Sequence, residues 1–205
     1  MGSSSILDIV GSFVIAGFLF LMTMRMNQAS QETSSAYHTQ LNIQTNLTTM
    51  VSILEFDLRK IGYCADFKKI PDPTKALLKA DSTKIKFLGD YNNDGNLDSI
   101  YYYLGPPSEL TDTPNPRDCY VYKQTNASTP EKWNFGVTKF KFKYFNAEGD
   151  SLPFPIASPS LVQSMEISVQ VEAPDPYEQV YVTDQFAYQT FWRQIRLVSR
   201  NLQNR

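Results

Sequence analysis

Apolar residues crowd the start of the chain with no period, and further on they fall into one. From Ile9 to Met24 no side chain is charged, and Ile6 and Leu7 extend the run in front of a lone acid, Asp8. Sixteen helical residues reach about 24 Å, so the run must be read from Ile6 to Met26 to match the roughly 30 Å hydrocarbon core of a bilayer. Beyond Arg25 the chain turns polar. Ile43, Leu47, Met50, Leu54, Leu58 and Ile61 then recur in steps of four, three, four, four and three, which is one face of a helix. Gln44, Thr48, Ser52, Glu55 and Arg59 occupy the opposite face. No proline precedes Pro71 and no glycine lies between Gly17 and Gly62. The pattern predicts one helix from about residue 5 to 61, roughly 85 Å long, greasy on every side in its first half and amphipathic in its second. Gly62 is its expected stop.

From about residue 82 the period changes to two. "TKIKFL" sets Lys84 and Lys86 against Ile85 and Phe87, and "SIYYYL" puts Ile100, Tyr102 and Leu104 on one side. "CYVYK" follows, and "TKFKFKYF" alternates Lys139, Lys141 and Lys143 with Phe140, Phe142 and Tyr144. "SMEISVQVEA" aligns Met165, Ile167, Val169 and Val171, and "FWRQIRLVSR" does the same less cleanly. Half-buried strands joined by loops rich in Pro, Ser, Asn and Asp predict an antiparallel sheet. The expected fold class is α+β, with the sheet packed on the amphipathic half of the helix. The expected organisation is a membrane or filament-core helix over 1–28, its amphipathic continuation over 29–62 and a sheet domain over 63–205.

Composition narrows the function. At 205 residues with a net charge of -2 and a pI near 5.4, the chain has no basic stripe to suit nucleic acid, and none is expected as a partner. Its single histidine, His38, excludes a multi-histidine zinc site and leaves one possible base for a triad. His38 lies on the polar part of the helix and reads as an exposed residue. The sequence contains no G-x-S-x-G, G-x-x-x-x-G-K-[ST], H-E-x-x-H or C-x-x-C, so no enzyme is expected. Cys64 and Cys119 pair as one disulfide if the protein is exported, worth roughly 4 kcal/mol in the chain-entropy picture. In a cytosolic protein they would be two buried thiols.

The most specific motif is "DYNNDGNLD" at 90–98. Asp90, Asn92, Asp94 and Asp98 fall at the first, third, fifth and ninth places of a calcium loop, with Asn96 offering a backbone carbonyl and Gly95 allowing the turn. Tyr101 stands where an EF-hand loop carries its bidentate glutamate. Calcium is the expected cofactor, and Asn93-Asp94-Gly95 serving only as a hairpin turn is the competing reading. The Lys139, Lys141, Lys143 ridge is read as a solvated strand face rather than a polyanion contact. Arg193, Arg196, Arg200 and Arg205 give the C-terminus a basic bias with the same reading. Asn46-Leu-Thr48 and Asn126-Ala-Ser128 match glycosylation sequons.

At the N-terminus, Ser5 and Asp8 fit the [ST]-x-x-[DE] capping box. "MGSSS" has no base before Arg25, unlike a signal peptide, and is similar to the start of an expression tag.

The order of elements resembles the type IV pilin superfamily. "FDLRKIGY" is similar to the end of the long helix in W-group minor pilins and J-type pseudopilins. "DYNNDGNLDSIYYYL" is similar to their acidic turn and following strand, and "IRLVSRNL" to their last strand. The resemblance implies a structural subunit, major or minor, of a cell-surface filament. Such a subunit is anchored in the inner membrane before the pilus assembly machinery packs it, through its apolar helix, against copies of itself or other pilins. In the family an early glutamate helps neutralise a neighbouring subunit's N-terminal amine, and Asp8 is the acid that would take this part here. No basic leader ending in Gly precedes it, so either a leader has been removed or the protein is inserted unprocessed. Gly11 and Gly17 would permit close helix approach. The alternative expectation is a membrane-anchored extracellular binding module with a calcium-stabilised sheet.

Overall fold

The structure, a computed structural model, describes residues 2–176, 178–180 and 185–202. The chain divides into two compact units, Met1–Leu41 and Asn42–Arg205, and the long helix α1, Gly2–Leu58, contributes to both.

In the first unit nothing in the sequence breaks the helix, and the hydroxyls of Ser12, Thr23 and Thr33 bond back onto it. Ser12 Oγ donates to the Asp8 carbonyl, Thr23 Oγ1 to that of Leu19 and Thr33 Oγ1 to that of Ala29, each at 2.8 Å. Such back-bonding satisfies these three hydroxyls without solvent. The helix already runs from Gly2, so the expected capping box is corrected. An N-cap residue has non-helical backbone, whereas Ser5 lies inside the helix and Asp8 more than a turn beyond its start.

In the second unit the predicted apolar stripe is the buried one. Ile43, Leu47, Met50, Val51, Leu54 and Leu58 are all covered. They share one core with Ile85, Phe87, Ile100, Tyr102, Val121, Phe140, Phe142, Tyr144 and the inward residues of the later strands. The fold is α+β. Seven antiparallel strands form the main sheet: β1 (Leu77–Ala80), β2 (Lys84–Gly89), β3 (Asp98–Leu104), β4 (Cys119–Thr125), β5 (Glu131–Phe145), β6 (Ser164–Glu172) and, at the far edge, β9 (Thr190–Val198). Two short strands, β7 (Glu178–Val180) and β8 (Gln185–Ala187), form a separate hairpin. Neither β1 nor this hairpin was expected, because three or four residues carry too little alternation to register.

β5 is long enough to serve two neighbours. Its first part pairs with β4, as in Val121 opposite Trp133, and its second part with β6, as in Phe142 opposite Ile167. The register shifts on both sides near Val137, where Gly136 takes a φ of 69°. A Cβ there would stand 2.7 Å from the Glu172 carbonyl oxygen, so the close approach of β5 and β6 requires glycine.

The end of α1 is stitched to both the middle and the last part of the chain. The helix stops at Leu58, three residues before the expected end, and Gly62 follows with a φ of 72°. Gly62 N donates to the Leu88 carbonyl at 2.9 Å, and Ser199 Oγ donates to that of Ile61 at the same distance.

The expected disulfide is corrected as well. Cys64 and Cys119 are both free, buried thiols, one donating to the Gly95 carbonyl at 3.6 Å and the other to that of Arg117 at 3.5 Å. Cys64 lies by the 90–98 loop, at the end of the sheet where Asn126 meets Ser99. Cys119 begins β4, whose other end, Thr125, lies by that loop. Six extended residues separate the two ends by about 20 Å, far beyond the Cα spacing a disulfide accepts.

Candidate functional site

Two features stand out, one in each unit. The first is the apolar run of α1. Every large apolar side chain from Ile6 to Met26 is more than half exposed, from 53% at Val14 to 76% at Leu7. Among the described residues this is the helix long and apolar enough to cross a membrane or to serve as a signal sequence. Burying such side chains gains about 1.5–3 kcal/mol each, so a surface of this extent needs lipid or other helices to cover it. Asp8 is exposed within that surface. Gly11 and Gly17 face open space, and a Cβ at either would meet nothing within 4 Å, so any close approach they permit would be with another molecule.

The second feature is the acidic loop between β2 and β3. Its side-chain oxygens form a ladder of Asx turns anchored on Asp90. Asp90 is fully buried; its Oδ1 accepts from Asp94 N at 3.1 Å and its Oδ2 from Gly95 N at 2.9 Å and Ala65 N at 3.1 Å. Asn92 Oδ1 accepts from Asp94 N at 3.2 Å, and Asp94 Oδ1 accepts from Asn96 N at 2.7 Å. Asn93 and Gly95 hold the positive φ angles, 61° and 78°, that the turns demand. Burial pushes the Asp90 carboxyl upward, but backbone N–H groups of Ala65, Gly95, Asn93 and Asp94 hold it below the usual carboxylate range. Asp94 is lowered by the Asn96 backbone N–H and by the Asn92 and Asn96 side chains.

The donor chemistry of the loop, oxygen only with ionised Asp90 and Asp94, suits a hard cation. The side chains are nonetheless tied to other partners. Asp98 accepts from Tyr91 N at 3.2 Å and from Asn126 Nδ2 at 2.7 Å, and Lys69 Nζ donates to Asn96 Oδ1 at 2.6 Å. Among the described residues no three acidic, histidine or cysteine side chains come together as a metal-ligand group. Tyr101 is half-buried on the outer face of the sheet, its ring 4.9 Å from that of Tyr103.

Tertiary packing adds groups that the motif reading missed. Asp57 of α1 is buried and accepts from Lys123 Nζ at 2.7 Å and from the Tyr102 hydroxyl. Lys123 also lies 4.0 Å from the centre of the Tyr91 ring, so the acidic loop caps the buried pair. Burial works against the Lys123 charge, but Asp57 and Tyr91 more than offset it and keep its pKa above the ordinary lysine value. The signal was present in the sequence: Asp57 falls on the apolar stripe between Leu54 and Ile61, and Lys123 falls in the inward register of Cys119 and Val121.

The lysine ridge is solvated as expected: Lys139, Lys141 and Lys143 are exposed, with Lys143 3.8 Å from Glu166. Arg196 bonds Ser164 Oγ at 3.2 Å and covers the Phe145 ring, whereas Arg205 lies outside the described residues. Neither a protein-family model nor a curated protein matches the chain.

Proposed function

We propose that this protein is a structural subunit of a type IV pilus-like filament, held in the inner membrane before assembly and packed through its apolar helix afterwards. The observation that carries the reading is the contrast within one helix. Residues 43–58 bury their apolar stripe on the chain's own sheet, while residues 6–26 expose apolar side chains in every direction. A membrane anchor alone explains the second half of that contrast; the glycines and the lone acid in the same run favour packing between helices. Asp8 answers a positive charge on a neighbouring subunit, since an unpaired carboxylate among apolar helices is costly.

Fibres sheared from cells and identified by mass spectrometry test the proposal. The protein is expected in the fibres, and Asp8→Asn is expected to reduce their number while leaving the thermal transition of the sheet domain unchanged. A chain that stays monomeric in membranes, with no fibre containing it, overturns the reading.

Calcium binding at 90–98 is a separate proposal, supported by the oxygen spacing and the Asx-turn ladder. Asp94→Ala is expected to lower thermal stability when calcium is present and to change little in chelator. Equal loss in both conditions would leave the loop as a turn.

A further inference from the structure

The antiparallel register gathers one set of side chains on the outer face of β5, β6 and β9. Phe140, Phe142 and Tyr144 are buried in the core, so Lys139, Lys141 and Lys143 stand on the opposite side, all exposed. Across β6 they meet Gln170, Ser168 and Glu166, and beyond these lie Trp192, Gln194 and Arg196 of β9. Lys143 and Arg196 flank Glu166, whereas Lys139 and Lys141 face no acid. Glu172, the next outward residue of β6, is buried and paired with Arg117 at 2.8 Å. Lysines on a strand commonly blunt a free edge, but this stretch of β5 is already bonded on both sides. On the side away from β6, Phe142 N donates to the Ser82 carbonyl at 2.8 Å and Leu152 N to that of Tyr144 at the same distance. At the rim of the face Trp192 is 68% exposed.

We propose that this face binds an acidic polysaccharide. In a chain of net charge -2, two lysines about 7 Å apart along β5 with no acid beside them make a local field that selects anions. Lys139 and Trp192 share one row, two strand spacings or about 10 Å apart, with Gln170 between them. A polyuronate laid on these rows sets its carboxylates at Lys139 and Lys141 and the C–H face of one sugar ring on the Trp192 indole. Its hydroxyls meet Ser168 and Gln194; Gln170 gives its Nε2 to Glu172 at 2.9 Å and keeps its carbonyl oxygen to accept from a further hydroxyl. Single-stranded nucleic acid suits the face less, because it stacks successive bases on successive rings and these rows hold the one ring of Trp192. An anionic lipid surface suits it less as well, because between Trp192 and the lysines lie amides and a hydroxyl with nothing apolar to insert. Every residue involved belongs to the second unit, so the inference stands apart from filament assembly.

The full-length protein in non-ionic detergent is titrated with polygalacturonate oligomers by calorimetry, with dextran as the neutral glycan. Polygalacturonate is expected to bind, to bind more weakly as salt is raised, and to quench tryptophan fluorescence, while dextran does neither. Trp192→Ala, and Lys139→Ala combined with Lys141→Ala, are each expected to lower the affinity by about tenfold or more with the thermal transition unchanged. Lys68→Ala combined with Lys75→Ala removes the same charge from exposed positions off the sheet and is expected to leave the affinity in place. The proposal is overturned if polygalacturonate does not bind, or if the Lys68 and Lys75 variant loses as much affinity as the Lys139 and Lys141 variant. It is equally overturned if a single-stranded oligonucleotide or vesicles of anionic phospholipid bind more tightly than polygalacturonate at the same ionic strength, a result that would assign the face to that partner.

Discussion

Asp57 and Lys123 each occupy a position that the surrounding pattern reserves for an apolar side chain. The cost of burying either charge is offset because the two meet at 2.7 Å, with Tyr102 donating to the same carboxylate. Removing one partner therefore costs more than removing both. Asp57→Ala should destabilise the protein by about 3–5 kcal/mol, since it strands the Lys123 ammonium under the Tyr91 ring. Asp57→Leu combined with Lys123→Met should recover most of that loss. Denaturant titration followed by near-ultraviolet circular dichroism measures both; a double variant as weak as the single one would mean that packing at these sites, and not charge, is decisive. The two charges were visible as breaks in apolar registers, but nothing linear joins residue 57 to residue 123. Glu172 was less visible still, because Arg117 and Asn115, which bond its buried carboxylate, lie on a loop that carries no period.

At the level of elements, α1 serves two environments with one backbone. Its second half is legible from the spacing of Ile43, Leu47, Met50, Leu54 and Leu58, all of which are buried. Strands β2 to β6 are legible too, because each alternates over enough residues to mark a face. The helix end was displaced by three residues because a tertiary contact sets it. At Gly89 a Cβ would stand 2.4 Å from the Lys60 carbonyl oxygen, so the last strand position of β2 passes directly against the turn that ends α1. Gly89→Ala should push these apart and lower the melting temperature by several degrees, as scanning calorimetry would show. An unchanged transition would mean that the turn yields freely. The expected disulfide failed at this scale: an even cysteine count describes composition, whereas pairing needs the two Cα atoms within bonding reach, and Cys64 lies by the end of β4 opposite to Cys119.

For the molecule as a whole, the buried hydroxyls and the ion pair set an alkaline limit. Burial raises the pKa of Tyr102 and of Tyr144, with Asp57 and Asp81 adding to it, and the hydrogen bond to Glu109 raises Tyr122 to about 12. These groups keep their protons in the folded state at pH values where the unfolded chain loses them, at about 10 for tyrosine. Lys123, also raised above its usual value, acts in the same direction. The stability they contribute is fully present below about pH 10 and is lost as pH rises through the folded-state values. Melting temperature should therefore fall steeply above about pH 10, and the share of tyrosinate absorbance that belongs to the buried Tyr102 and Tyr144 should appear only with unfolding. A flat profile to pH 11 would contradict this.

The sequence by itself determined the two-part helix, the antiparallel sheet and the α+β class, because periods of 3.6 and 2 are local consequences of which side of an element meets the core. It also marked the apolar run and the acidic loop, whose residues are contiguous. The tertiary structure alone decided that Cys64 lies by the end of β4 opposite to Cys119, that Lys123 meets Asp57, and that Glu172 is buried against Arg117 and Asn115. Those facts depend on distances between segments remote along the chain, and only the folded packing sets them.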